Sequence, residues 1–204
     1  MVADLLSHTD ARSLVEAAQL RLRREALARF SRIVQDPHSE EQHLQQWLQA
    51  NPWIFGGRYV NLATHRRLVP GTEYDLPLIR PDGVLHLVEI KRACAKIVTH
   101  QRGQLVPNNE IHRAVAQAMN YLVGLDENRQ KVRETFGIEA RRATATVLAG
   151  HSAFQGKHTA EIREALRVYN SHLTRIDVII YDDLLESACR SLKIVTANGT
   201  SNSA

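Results

Sequence analysis

The stretch EYDLPLIRPDGVLHLVEIK (residues 73–91) constrains this chain more than any other. Two apolar runs flank Pro81-Asp82-Gly83. Proline presets φ, aspartate supports a local turn and glycine tolerates positive φ, so the segment predicts a β-hairpin, with strands over 74–80 and 84–91. A three-residue loop pairs Arg80 with Val84, and antiparallel register keeps the paired numbers summing to a constant. Asp75 then falls opposite Glu89, where Cβ atoms stand about 4.5–5.5 Å apart. Alternation along the strand puts Glu89 and Lys91 on one face and Ile90 on the other.

Two carboxylates that close repel each other unless a cation lies between them. Hard oxygen ligands favour Mg²⁺ or Mn²⁺, and the Ile90 backbone carbonyl can supply another oxygen. A lysine beside such a metal can orient the attacking water and stabilise developing charge, so the set matches in-line phosphodiester hydrolysis. Asp82 also precedes Glu89, but turn chemistry accounts for it and its position in the turn keeps it away from Glu89. A Glu-x-Lys on an exposed edge strand would be an ordinary solvated face. Here Val84, Leu85, Leu87, Val88 and Ile90 read as a strand buried on both sides, so charges at its end need partners.

Around the hairpin the chain alternates helix and strand. Residues 11–35 lack Gly and Pro, and Leu14, Ala18, Leu22, Ala26, Phe30 and Ile33 recur at helical spacing. Asp36-Pro37 ends that helix. Ser39 with Gln42 suggests a capping box for a second helix, whose stripe is Leu44, Trp47 and Leu48 and which stops at Asn51-Pro52. Trp53-Ile54-Phe55 then enters the core. Residues 96–110 read as a flexible loop beside the site, and 109–123 as a helix through Ile111, Val115, Ala118 and Leu122. Further on, 144–149 reads as a strand, 159–172 as a helix and 176–181 as a second strand, an order that implies a parallel crossover. Asp182 caps a helix running to about Leu192, and the small polar tail from Thr196 reads as disordered. The expectation is an α/β fold with a central mixed sheet flanked by helices. Its parts are an N-terminal helical extension over 1–38, a main domain over 39–195 and a tail over 196–204.

These residues resemble the PD-(D/E)XK nuclease superfamily, in which an aspartate, a hairpin and Glu-x-Lys are flanked by helices. Three features narrow the likeness. Glu41 precedes LQQWLQANPWIF, Gln117 and Tyr121 stand one helical turn apart after the hairpin, and IIYDDLL closes the domain. The ordered set is similar to the Shedu family of bacterial antiphage defence nucleases over roughly residues 39–190. The resemblance implies a restriction-endonuclease-like fold and metal-dependent DNA cleavage by Asp75, Glu89 and Lys91, assisted by Gln117. Glu41 becomes a further candidate metal ligand, although the adjacent Glu40 is not separable from it in sequence, and Tyr121 reads as packing. The family's alternatives are a repair or restriction nuclease of the same fold, or a subunit that binds nucleic acid without cutting it.

Composition permits these readings. The 204 residues carry a net charge of +4, compatible with a DNA partner. Arg66, Arg67, Arg92 and Lys96 flank the hairpin and could follow a phosphate backbone. The histidines, among them His65, His86, His100, His112, His151 and His158, lack zinc spacing. No serine-hydrolase order is present, no organic cofactor is expected, and Cys94 and Cys189 read as reduced thiols. No run is long enough to span a membrane and the N-terminus has no secretory pattern, so the expectation is a cytoplasmic homo-oligomer.

Overall fold

A computed structural model of the chain describes the backbone of residues 2–200 and the side chains of residues 12–193. The order is α1 (Val2–Gln35), α2 (Glu41–Ala50), a 3-10 segment (Pro52–Arg58), β1 (Asn61–Leu62), β2 (Leu76–Ile79), β3 (Val84–Ile90), β4 (Val98–Gln101) and β5 (Gln104–Pro107). It continues with α3 (Asn109–Glu127), α4 (Arg129–Phe136), β6 (Glu139–Leu148), α5 (Thr159–Asn170), β7 (Ile176–Ile179) and α6 (Tyr181–Thr200). The central sheet runs β1-β2-β3-β6-β7: β1 and β2 are antiparallel to their neighbours, whereas β3, β6 and β7 are parallel. This is the α/β class with a mixed sheet that the sequence predicts.

The alternation of β3 sorts the core into two layers. Leu85 and Leu87 face a layer built by Ile111, Val115 and Ala118 of α3, Val132 of α4, and Ile162 and Leu166 of α5. Val88 and Ile90 face the other, built by Phe30 and Val34 of α1, Leu44 and Leu48 of α2, and Tyr181 and Leu184 of α6. All of β3 except its first residue is buried, as a central strand covered on both sides must be. The end of α1 therefore belongs to the core, where Phe30 stacks on Trp47 with ring centroids 4.0 Å apart.

Several expectations change. Leu14 and Leu22 are exposed, because only the last turns of α1 reach the domain; there the buried face is Leu27, Phe30 and Val34. Ser39 does not cap α2: its hydroxyl donates to the Ile33 carbonyl (2.6 Å), satisfying the end of α1, and Glu40 occupies the cap position without a side-chain bond. Most of the expected loop over 96–110 is the β4–β5 hairpin, made possible by Arg102 and Gly103 both at positive φ. The β6 strand starts at Glu139, five residues before the predicted 144, with an irregular register against β3. The short α4, ending on left-handed Gly137, has no signal in the sequence beyond that glycine. Asp182 lies inside the first turn of α6, where its carboxylate accepts from the Ser152 amide (2.9 Å) and hydroxyl instead of capping the helix. The α6 backbone continues past Leu192 to Thr200; of the tail expected to be disordered, residues 201–204 lie outside those described.

Gly150, just past β6, ties together the segments that leave the same end of β3 and β7. Its amide donates to the Arg92 carbonyl (3.2 Å) and its carbonyl accepts from the Tyr181 amide (3.0 Å). A Cβ here would lie 2.2 Å from Ile97 Cγ1 and 2.9 Å from the Ala95 carbonyl oxygen, at φ +71°. Neither the backbone oxygen nor the buried Ile97 can retreat cheaply. Gly150→Ala is expected to cost on the order of 3 kcal/mol in denaturant unfolding, and a loss under about 1 kcal/mol would show that this crossing is not tight.

Candidate active site

The predicted register holds. Leu76 pairs with Val88 and Ile79 with Leu85, which puts Asp75, one residue before β2, opposite Glu89. The Asp75 Oδ2 accepts a hydrogen bond from the Ile90 amide at 2.9 Å, tying the aspartate across the hairpin. Asp82 stays in the turn, accepting from the Val84 amide and from Arg80.

Helix α2 holds Asp75 from the other side. Glu41, Gln45 and Gln49 follow one another at four-residue steps and so share a face. Gln45 Nε2 donates to the Asp75 carbonyl at 2.8 Å, and Gln49 Nε2 to the same oxygen at 3.2 Å. Leu44 and Leu48, on the adjoining strip of the same side of the helix, are fully buried, which fixes the helix so that these amides are aimed.

Glu89 is 1% exposed. Its Oε1 lies 2.7 Å from Lys91 Nζ, and neither carboxylate oxygen has a hydrogen bond of proper geometry among the described residues. Lys91 in turn reaches the Gln117 side-chain oxygen (3.3 Å), and the Gln117 amide donates to the Tyr121 hydroxyl (2.5 Å). Tyr121 meets Tyr74 edge to face at 5.0 Å, and the buried Tyr74 hydroxyl has no hydrogen-bond partner among the described residues. The Lys91 backbone is pinned as well: its amide donates to Leu148 (2.9 Å) and its carbonyl accepts from the Tyr181 hydroxyl (2.8 Å).

A cleft of about 640 Å³ opens in front of Lys91, between Glu41 of α2, the 91–96 segment and the first turns of α3. Glu41 lines it and Glu40 does not, which separates the two glutamates. Arg92 and Lys96 line it too, joined by Arg113 and Gln117. Arg66 and Arg67 do not line this cleft: both pair with Glu73, while Arg66 also donates to the Tyr74 carbonyl (2.7 Å) and its charge reaches the neighbouring Asp75. The structure thus brings together Asp75, Glu89, Lys91 and Gln117, with Glu41, Arg92 and Lys96 at the cleft. Sequence reasoning missed Gln45, Gln49, Arg113 and Tyr181. The four-residue spacing of Gln45 and Gln49 from Glu41 was the available signal for the first two.

The electrostatics are those of two crowded, buried carboxyls beside an ammonium. Burial, then the Asp75 charge, pushes the Glu89 carboxyl up to about 7 against the opposing pull of Lys91. Asp75 is raised as well, chiefly by burial, with the Ile90 amide pulling it down. Lys91 is raised, because the ion pair with Glu89 and the nearby carboxylates outweigh its own burial. Among the described residues no three His, Cys, Asp or Glu side chains form a ready-made cage. Mg²⁺ does not need one, since it characteristically uses one or two carboxylates and completes its shell with water and substrate. Two opposed carboxylates, one of them buried with unsatisfied oxygens, fit that donor set.

An α/β domain that sets an aspartate, a glutamate and a lysine at the end of a hairpin, backed by a helical glutamine, defines a class of protein with a buried acid–lysine centre. The chain belongs to the family described as Shedu protein SduA, C-terminal, whose model matches residues 38–185. The match spans α2 to the first turns of α6 and so contains every residue of the site. No curated protein matches the chain. Among the described residues, no helix is long and apolar enough to cross a membrane.

A carboxyl that binds its proton more tightly in the folded than in the unfolded chain lowers stability as pH rises from its ordinary value of 4.5 to about 7, and the full cost remains above that. In chelator, Glu89→Gln is therefore expected to stabilise the protein. The gain should grow from pH 5 to 8 toward on the order of 3 kcal/mol, read by thermal unfolding. A difference from wild type that stays flat with pH would refute the buried ionisation.

Proposed function

We propose that the chain is a divalent-metal-dependent deoxyribonuclease of the PD-(D/E)XK type, acting in bacterial defence against phage. The observation that carries this reading is the buried Glu89 carboxylate, opposed to Asp75 and paired with the Lys91 ammonium. Family membership supports the defence role.

Asp75, Glu89 and the Ile90 carbonyl would hold Mg²⁺ or Mn²⁺, with Glu41 at the rim as a further or water-mediated ligand. The ion when bound supplies Lewis acidity at the phosphoryl oxygen and lowers the pKa of a coordinated water. Lys91 keeps its proton, so it can face the charge that accumulates on the phosphoryl oxygens. Gln117 accepts from the same ammonium and so aims it, and Tyr121 aims Gln117. Arg92, Lys96 and Arg113 give the cleft a cationic wall along which a DNA backbone can lie. The pinned Lys91 backbone and the clamped Asp75 mean that little reorganisation is needed when substrate arrives.

Purified protein is expected to cut linear or plasmid duplex DNA with Mg²⁺ or Mn²⁺, and chelation should abolish cutting. Glu89→Ala and Lys91→Ala should each lower the rate by about a hundredfold or more, with helical content and unfolding cooperativity kept. Metal-dependent cleavage retained by Lys91→Ala would overturn the role given to that lysine. Gln117→Ala, which loosens the ammonium without removing it, should cost about tenfold in rate and little in DNA affinity. In cells, wild type should reduce phage plaquing and Lys91→Ala should not.

A further inference from the structure

The nuclease reading leaves unused a second polar site on the opposite face of the same strand. His86 lies three residues before Glu89 on β3, and odd spacing turns it toward the other layer. It is 6% exposed, yet both ring nitrogens are bonded, Nδ1 to the Thr144 hydroxyl (2.7 Å) and Nε2 to the Thr146 hydroxyl (3.1 Å). Thr144 is the register partner of His86, and Thr146 is the partner of Asp177 on β7. A polar band therefore crosses three adjacent strands, on a face that is apolar further along at Val88, Ile90 and Leu148. Polar groups placed there cost free energy that valine or leucine would not.

Above this band is a pocket of about 420 Å³, in the size range of small-ligand sites, with a mainly polar lining. Tyr59 closes one side, its ring tilted against His86 at 4.9 Å. Three arginines stand round it. Arg175 is held in place by the Ala143 carbonyl (2.8 Å) and both oxygens of Asp126, on a backbone at φ +70° that a non-glycine residue adopts only at a cost. Arg80 is held by Asp82 at 2.9 Å. Arg58 makes no ion pair among the described residues, and it lines the pocket with its charge free to act there. Burial first, then the charges of Arg58 and Arg80, lowers the His86 pKa to about 4, so the ring stays neutral and the arginines alone make the pocket cationic.

We propose that this pocket binds a nucleoside phosphate. The arginines match a phosphoryl group, for which a planar guanidinium is the preferred partner. Asp177, also on the wall, would oppose a bare phosphate but accept a hydrogen bond from a sugar hydroxyl or a base amine. The ligand is thus an anion at one end and a donor at the other. A free nucleotide and the 5′-phosphorylated end of a nucleic-acid strand share that chemistry.

The test is calorimetric titration of the full chain in chelator, where no cleavage occurs, with inorganic phosphate, a nucleoside 5′-monophosphate, and a short oligonucleotide with and without its 5′-phosphate. The monophosphate should bind saturably and more tightly than inorganic phosphate. Arg58→Ala should weaken it about tenfold, as should Thr146→Val, which removes a floor hydroxyl at constant shape. Lys91→Ala, on the far face, should leave binding unchanged whether or not that residue proves catalytic. A phosphate-dependent gain for the oligonucleotide over the monophosphate would identify a strand end as the source; equal or weaker binding would identify the free nucleotide. The proposal is overturned if no probe binds saturably, if inorganic phosphate binds as tightly as the nucleotide, or if Arg58→Ala binds as wild type while Lys91→Ala does not.

Discussion

A carboxylate buried at the end of a central strand is the constraint round which the rest of this protein is arranged. Glu89 cannot be left to water, because β3 is covered on both faces, and it cannot be left alone, because an unpaired buried charge is costly. One consequence is Lys91, two residues on and on the same face, at 2.7 Å. Another is the placing of helices. Leu44 and Leu48 of α2 are buried so that its polar face reaches Asp75, Ala114 and Ala118 of α3 bring Gln117 to Lys91, and the buried Tyr181 at the start of α6 bonds the Lys91 carbonyl. In each helix the buried apolar strip fixes the aim of the polar strip beside it.

That arrangement leaves one thing unbalanced. The lysine satisfies one charge, while a second carboxylate stands opposite and, among the described residues, the Glu89 oxygens find no well-formed hydrogen bond. Both carboxyls are held above their ordinary range, and the lysine is held protonated. A site meant only for structure would gain by replacing such a cluster with apolar side chains. Its position next to an open cationic cleft is what the proposed metal and phosphodiester would account for. The polar band at His86 poses the same question on the other face: both sites put polar chemistry where packing alone would favour hydrocarbon.

Much of this was legible from residues 73–91. The turn Pro81-Asp82-Gly83 set the register, the register set Asp75 against Glu89, and strand alternation set Lys91 beside Glu89, because period-2 geometry leaves no freedom once the turn is fixed. The helical spacing of Ile111, Val115, Ala118 and Leu122 likewise named the buried face of α3. The loop expected over 96–110 was misread because Arg102 is not a residue whose propensity announces a left-handed turn, and only pairing with a second strand makes it one. The stripe on α1 was misread because periodicity shows that a helix has a face and not how much of it finds a partner.

By itself, then, the sequence determined the hairpin, its register and the three residues at its end, since these depend on local turn chemistry and on the alternation of one strand. The tertiary structure alone decided that Glu41 and not Glu40 reaches the cleft, that Gln45 and Gln49 clamp Asp75, that Arg113 joins Arg92 and Lys96, and that Arg66 and Arg67 pair with Glu73. Those outcomes depend on how a helix is rotated against the sheet. Its rotation is set by contacts such as those of Leu44 and Leu48 with the layer that holds Tyr181, more than 130 residues on, and these form only when the layers close.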